Sequence, residues 1–179
     1  KRIMGKSYRK NKNVKLSDLR YVQVLHYGFD GKVKEGELIV NKKIAKKTVK
    51  VFYALYQKKY RIERMRLIDD YGANDEKSMA ANNTSAFNYR VISGTKKLSN
   101  HSYGLAIDIN PRINPYITKY GIAPANSKVY RNRNVATCRG KYRDYMIHRG
   151  DEVYRIFKKN GFSWGGDWKY SKDYQHFER

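Results

Sequence analysis

Cysteine is nearly absent from this chain: Cys138 is alone among 179 residues. A single thiol excludes an intrachain disulfide and any zinc site built from several cysteines, so stability must come from core packing or from a metal held by other ligands. Its basic surroundings, RNRNVATCRGK, hold no histidine, which argues against an activated nucleophile and leaves Cys138 a bystander. Long apolar runs are missing as well. None approaches the roughly 18 residues that a membrane span needs, and no signal peptide is recognisable. An export leader removed ahead of Lys1 is the expectation that the missing initiator Met allows. Acidic residues are scarce, with 16 Asp+Glu against 39 Lys+Arg and a formal net charge of +23. Such an excess draws a protein toward nucleic acid, anionic lipid or an acidic wall polymer. The 17 tyrosines would suit base stacking, but they are scattered and accompany no RNP-like or zinc-finger pattern. Specific nucleic-acid binding is therefore not expected.

The length suits one domain. Residues 1–14, KRIMGKSYRKNKNV, are polar and basic and read as a mobile N-terminal arm, with a single domain over 15–179. YVQVLHYGF and KVKEGELIV, joined at Asp30–Gly31, read as a hairpin. Asn41 then caps a helical pattern with Ala45, Val49, Phe52 and Leu55 or Tyr56 on one face and lysines on the other. RIERMRLID reads as strand-like, and residues 71–100 as an irregular stretch whose place inside a compact domain points to function. A short strand over 105–110 and a helix over 151–160, stopped by Gly161, complete an α+β domain.

The chemistry-bearing residues lie in two segments, LSNHSYGLAIDIN with His101 and Asp108, and KDYQHFE with Asp173 and His176. Two imidazoles and one carboxylate can hold zinc while leaving a position open for water. A second carboxylate can take a proton from that water. In the strand after Gly104, Ala106 and Asp108 share the open face, opposite Leu105, Ile107 and Ile109. His101 reaches that face only if the chain turns at Gly104. Asp173 and His176, three apart, meet across a tight turn but not along a strand. His26 and His148 read as hairpin and loop residues, and Trp164 and Trp168 as packing, with one of them available to wall a cleft.

LSNHSYGLAIDINP resembles the S-x-H-x-x-G-x-A-x-D motif of the zinc D-alanyl-D-alanine carboxypeptidase/dipeptidase family, with Ser99, His101, Gly104, Ala106 and Asp108 at its fixed positions. GFSWGGDWKYSKDYQHFE is similar to the second motif of the L-alanyl-D-glutamate endopeptidase branch, which includes cell-wall hydrolases and phage endolysins. AFNYRVISGTKKLSNH is similar to that branch too, and the resemblance runs from about residue 16 to the end. It implies a small antiparallel sheet bearing the zinc site, with helices packed on one side, as in hedgehog and D-Ala-D-Ala peptidases. It implies His101, Asp108 and His176 as zinc ligands, Asp173 as general base, Arg90 as the cation that holds the developing oxyanion, and Ser99 as a support of the His101 loop or a substrate contact. Many carboxypeptidase members use Glu as the base, so Asp173 tilts the reading toward the endopeptidase branch.

The expected activity is zinc-dependent hydrolysis of peptidoglycan stem peptides at the L-alanyl-D-glutamate bond, by attack of a metal-bound water. The expected setting is secreted or in the cell envelope, or a phage endolysin reaching the wall at lysis, as a monomer drawn to anionic wall polymers. A D-alanyl-D-alanine carboxypeptidase, an inactive zinc-containing wall-binding module and a basic nucleic-acid binder are the alternatives.

Overall fold

The computed structural model describes residues 2–179. Strands β1 (Leu19–Tyr27) and β2 (Val33–Asn41) form an antiparallel hairpin, with Leu19 opposite Asn41 and Tyr27 opposite Val33. Its turn holds Asp30–Gly31, as the dipeptide predicts. Asn41 ends β2 and also caps helix α1 (Lys42–Gln57), its side chain accepting from the Lys43 amide at 3.1 Å.

Next come β3 (Arg64–Met65), α2 (Asp75–Ala80) and β4 (Asn83–Thr84), with β3 and β4 paired in parallel. Two small antiparallel sheets follow. One holds β5 (Ala106–Asp108), β10 (His176–Glu178) and β8 (Ser163–Trp164), in the order β5-β10-β8. The other is ordered β7-β6-β9, from β6 (Tyr116–Ile117), β7 (Ile122–Ala123) and β9 (Lys172–Asp173). Helix α3 (Glu152–Lys159), capped by Asp151, precedes β8.

The main core joins both long helices to the first of these sheets. Phe52 and Leu55 of α1 and Val153 and Phe157 of α3 are buried with Ile107, Trp164 and Phe177 of the sheet. Phe157 stacks on Phe177 with ring centroids 3.8 Å apart. Burying such a ring contributes about 2–3 kcal/mol. Phe177 and Ile107 thus commit one face of the sheet to the core. The period-2 alternation of a strand then turns Asp108, His176 and Glu178 to the other face. An antiparallel sheet bearing these residues, backed by helices, is the architecture that the resemblance implies.

Several local expectations are corrected. The buried face of α1 is Ile44, Thr48, Val51, Phe52 and Leu55, while Val49 is exposed. The helix can bury Thr48 because its hydroxyl donates to the Ile44 carbonyl at 3.1 Å, which hydropathy alone does not anticipate. Only Arg64 and Met65 of RIERMRLID are paired as a strand. The irregular stretch over 71–100 contains α2, too short for its periodicity to show.

Of the expected N-terminal arm, Lys1 lies outside the described residues, and the rest lies on the body of the domain. Ile3, Tyr8 and Val14 are buried with Leu67 and Phe87, and the Ser7 amide and hydroxyl donate to Asp69 at 3.0 and 2.8 Å. Basic composition hid the apolar residues that anchor this segment.

Candidate metal centre

His101 sits in a 3-10 turn, Asn100–Tyr103, which Ser99 caps by accepting from the His101 amide at 3.3 Å. Gly104 ends the turn at φ +66°. A Cβ there would lie 2.7 Å from the Asn41 backbone nitrogen. The reversal and the close approach to α1 both require glycine. This turn brings His101 back over β5, the bend that its seven-residue separation from Asp108 demands.

Asp108 and His176 lie directly opposite each other on β5 and β10. The Asp108 backbone is held on its other side by Ser85, through paired amide–carbonyl bonds of 3.1 and 2.9 Å. Asp173 ends β9, and after Tyr174 and Gln175 the chain enters β10. Gly165 lies beneath this bend, where a Cβ would come within 2.7 Å of the Asp173 carbonyl oxygen and 2.8 Å of its Cβ.

Three donor atoms converge. His101 Nε2 is 3.2 Å from His176 Nδ1 and 3.2 Å from Asp108 Oδ2, and His176 Nδ1 is 3.1 Å from Asp108 Oδ1. A tetrahedral ion bound at 2.0–2.1 Å has donor–donor edges of roughly 3.3 Å, so the triangle fits zinc in size and in its two-nitrogen, one-oxygen chemistry. The far sides of both rings are fixed. His101 Nδ1 faces the Ala86 carbonyl at 2.5 Å, and a carbonyl only accepts, so Nδ1 carries the proton and Nε2 is free to ligate. His176 Nε2 faces Glu178 Oε2 at 3.0 Å, leaving Nδ1 toward the centre. Glu178 Oε2 also accepts from Asn100 Nδ2 at 2.6 Å, tying β10 to the His101 turn.

Electrostatics follow from this packing. Burial works to raise the Asp108 pKa, but the charge and hydrogen bonds of His101 and His176 hold it well below the usual carboxylate range. Burial works to lower the His176 pKa, but hydrogen bonds to Asp108 and Glu178 push it up to about 10. Asp173, shielded from water and near the Asp108 charge, is pushed up to about 7, although His176 and His101 oppose the shift. Asp173 Oδ1 has no hydrogen-bond partner among the described residues.

All four residues line one cleft of about 920 Å³, together with Arg90, Ser99, Trp168, Gln175 and Glu178. Arg90 is tied to the ligand turn: its amide donates to Ser102 Oγ at 2.9 Å, and that hydroxyl donates to the Arg90 carbonyl at 2.6 Å. Its guanidinium pairs with Asp75 of α2. The six residues singled out in the sequence therefore meet in one place. Trp164 is a core residue, and Trp168 walls the cleft with its ring centroid 5.4 Å from His176. His26 and His148 lie outside the cleft lining.

Sequence reasoning missed Glu178 and Asp75. Glu178 had a readable signal, since residues two apart on a strand share a face. Asp75 had none, because neither α2 nor its approach to Arg90 is visible in the pattern.

Residues 93–179 match a family model described as D-alanyl-D-alanine carboxypeptidase. That span contains His101, Asp108, Asp173 and His176, whereas Arg90 and Asp75 precede it. No curated protein and no solved structure matches the chain.

Proposed function

We propose that the chain is a zinc peptidase of the D-alanyl-D-alanine carboxypeptidase family, whose model matches residues 93–179, and that it hydrolyses peptidoglycan stem peptides at the L-alanyl-D-glutamate bond. The observation that carries the reading is the triangle of His101 Nε2, Asp108 and His176 Nδ1, open to a cleft that also holds Asp173 and Arg90.

In this reading His101, Asp108 and His176 hold the zinc. When bound, the ion supplies a Lewis acid and lowers the pKa of water toward 7. Asp173, which lines the cleft, removes a proton from the attacking water as the new carbon–oxygen bond forms. It then passes that proton to the amine nitrogen as the carbon–nitrogen bond breaks. Arg90 offers a fixed cation to the carbonyl oxygen as it gains negative charge. Asp75 holds the Arg90 guanidinium in place for this task. Ser99 supports the turn that carries His101. Trp168 walls the cleft beside His176.

A basic chain of charge +23 suits a polyanionic wall as working surface. No helix among the described residues is long and apolar enough to cross a membrane. Work at the wall places the protein in the envelope, outside the cell, or in a phage lysis system.

The matched family description favours a second reading, release of the terminal D-alanine. Asp rather than Glu at position 173 supports the endopeptidase. Mass spectrometry of digested wall fragments separates the two: new N-terminal D-glutamyl groups support the first, and free D-alanine supports the second. Unchanged fragments after incubation with the zinc-loaded protein would refute both.

A further inference from the structure

The solvent face of α1 carries cations and no anion. Its sixteen residues, KKIAKKTVKVFYALYQ, contain neither Asp nor Glu. Lys43, Lys46, Lys47 and Lys50 fall at helical spacings that place them on one stripe. Lys43, Lys46 and Lys50 are exposed and Lys47 is half-buried. Lys42 pairs with Asp18 at 2.7 Å, but none of these four joins an ion pair among the described residues. The stripe is about 10 Å long at 1.5 Å per residue. It is rigid, because the inner face of α1 is buried in the core. It also begins beside the metal-bearing turn, where the Asn41 amide donates to the Gly104 carbonyl at 2.8 Å and its side-chain nitrogen to the Tyr103 carbonyl at 2.9 Å.

We propose that this lysine face anchors the protein to a linear wall polymer carrying one phosphodiester per repeat, beside the cleft that works on stem peptides. The choice of partner rests on the wall-peptidase reading. Ammonium groups spaced along a fixed helix meet successive phosphates of a flexible chain as point charges, without needing a base sequence or a planar fork. An anionic membrane fits less well. A helix lying in a lipid interface buries an apolar face among the acyl chains, and the apolar face of α1 is already packed against the core. Retention at the wall would then raise the local concentration of stem peptides at the cleft.

The test uses the full chain and two triple variants that remove equal charge. One is Lys43→Gln/Lys46→Gln/Lys50→Gln. The other, a control, is Lys128→Gln/Arg131→Gln/Lys141→Gln, exposed residues on the loop after β7. Binding is measured across a salt series to purified walls, to the same walls after extraction of the phosphodiester polymer, to anionic phospholipid vesicles and to duplex DNA. The α1 triple is expected to weaken wall binding at least tenfold and to flatten the slope of log K against log salt by about 2. The control triple should change affinity less than threefold, and extraction should erase the difference between variants. Turnover of a soluble stem peptide should stay unchanged in the α1 triple. Equal losses in both triples, undiminished binding to extracted walls, or tighter lysine-dependent binding to vesicles or DNA would overturn the proposal. A wild-type protein that leaves the soluble peptide intact counts against the peptidase reading, while the binding series still decides the anchoring.

Discussion

Glu178 Oε2 lies 3.0 Å from His176 Nε2, on the side of the ring that faces away from the metal-binding triangle. The same oxygen receives the Asn100 amide at 2.6 Å, so one carboxylate aligns the two segments that carry the histidines. Such outer partners fix the tautomer and orientation of a ligating imidazole. Replacing Glu178 with Ala is predicted to weaken zinc affinity by about 10–100-fold. Glu178→Gln, which keeps an acceptor oxygen, should lose less. A competition titration against a chelator of known affinity measures both. Equal affinity in wild type and Glu178→Ala would remove Glu178 from any role at the centre.

The same contact predicts a linkage between metal binding and protons. Without metal, His176 lies between Asp108 and Glu178, and its pKa is pushed up to about 10 despite the opposing effect of burial. In the unfolded chain it reverts to about 6.5. A raised folded pKa means that the imidazolium stabilises the metal-free fold fully below about 6.5, and that this contribution is lost as pH rises through about 10. Ligation by Nδ1 requires that this proton leave, so zinc binding near pH 7.5 should release at least about one proton. Affinity should therefore climb with pH across the same window. Calorimetric titrations in buffers of different ionisation enthalpy count the protons directly, and a count of zero would contradict the arrangement.

The parts of this site that were legible in the sequence are those whose chemistry is set by residue type and short spacing. Gly104 signals the turn that folds His101 back on Asp108, and the apolar alternation of Leu105, Ile107 and Ile109 assigns Asp108 to the open face. The bend between Asp173 and His176 follows from a spacing that an extended strand forbids. Arg90 was picked out by resemblance, not by pattern, and its contact with Asp75 depends on α2, a helix with too few residues to show a period. The N-terminal segment misled for a different reason. Its few anchors, Ile3, Tyr8 and Val14, are diluted by lysine and arginine, and only the cluster they join with Leu67 and Phe87 reveals their burial.

Asp173 and Arg90 are predicted to serve turnover rather than metal retention. Asp173→Ala removes the proposed proton carrier and should lower kcat by about 10²–10⁴-fold while leaving bound zinc stoichiometric. Arg90→Ala should lower kcat by about 10²–10³-fold, the loss expected for one oxyanion-stabilising group. Asp75→Asn frees the guanidinium without deleting it and should cost less than Arg90→Ala. Steady-state kinetics on purified stem peptides, paired with metal analysis of each variant, tests the three together. Loss of zinc from Asp173→Ala would instead make Asp173 part of the metal-holding set.

Gly104 offers a way to perturb the centre without touching any donor atom. Its backbone is left-handed, at φ +66°, and a Cβ would meet the Asn41 nitrogen at 2.7 Å and the Val40 carbonyl carbon at 3.1 Å. Alanine there is strained by the backbone conformation, at about 1–2 kcal/mol, and by contact with atoms that belong to the junction of β2 and α1. Those atoms cannot yield cheaply, because Asn41 both pairs in the hairpin and caps the helix. The strain should fall on the turn between Ser99 and Gly104 and shift His101 away from His176 and Asp108. Gly104→Ala is therefore predicted to lower the melting temperature of the metal-free protein and, in addition, to weaken zinc binding. A variant at a site remote from the turn with equal destabilisation, such as Val153→Ala in α3, should lower the melting temperature alone. Equal zinc affinities in the two variants would show that the turn holds its ligand geometry without the glycine.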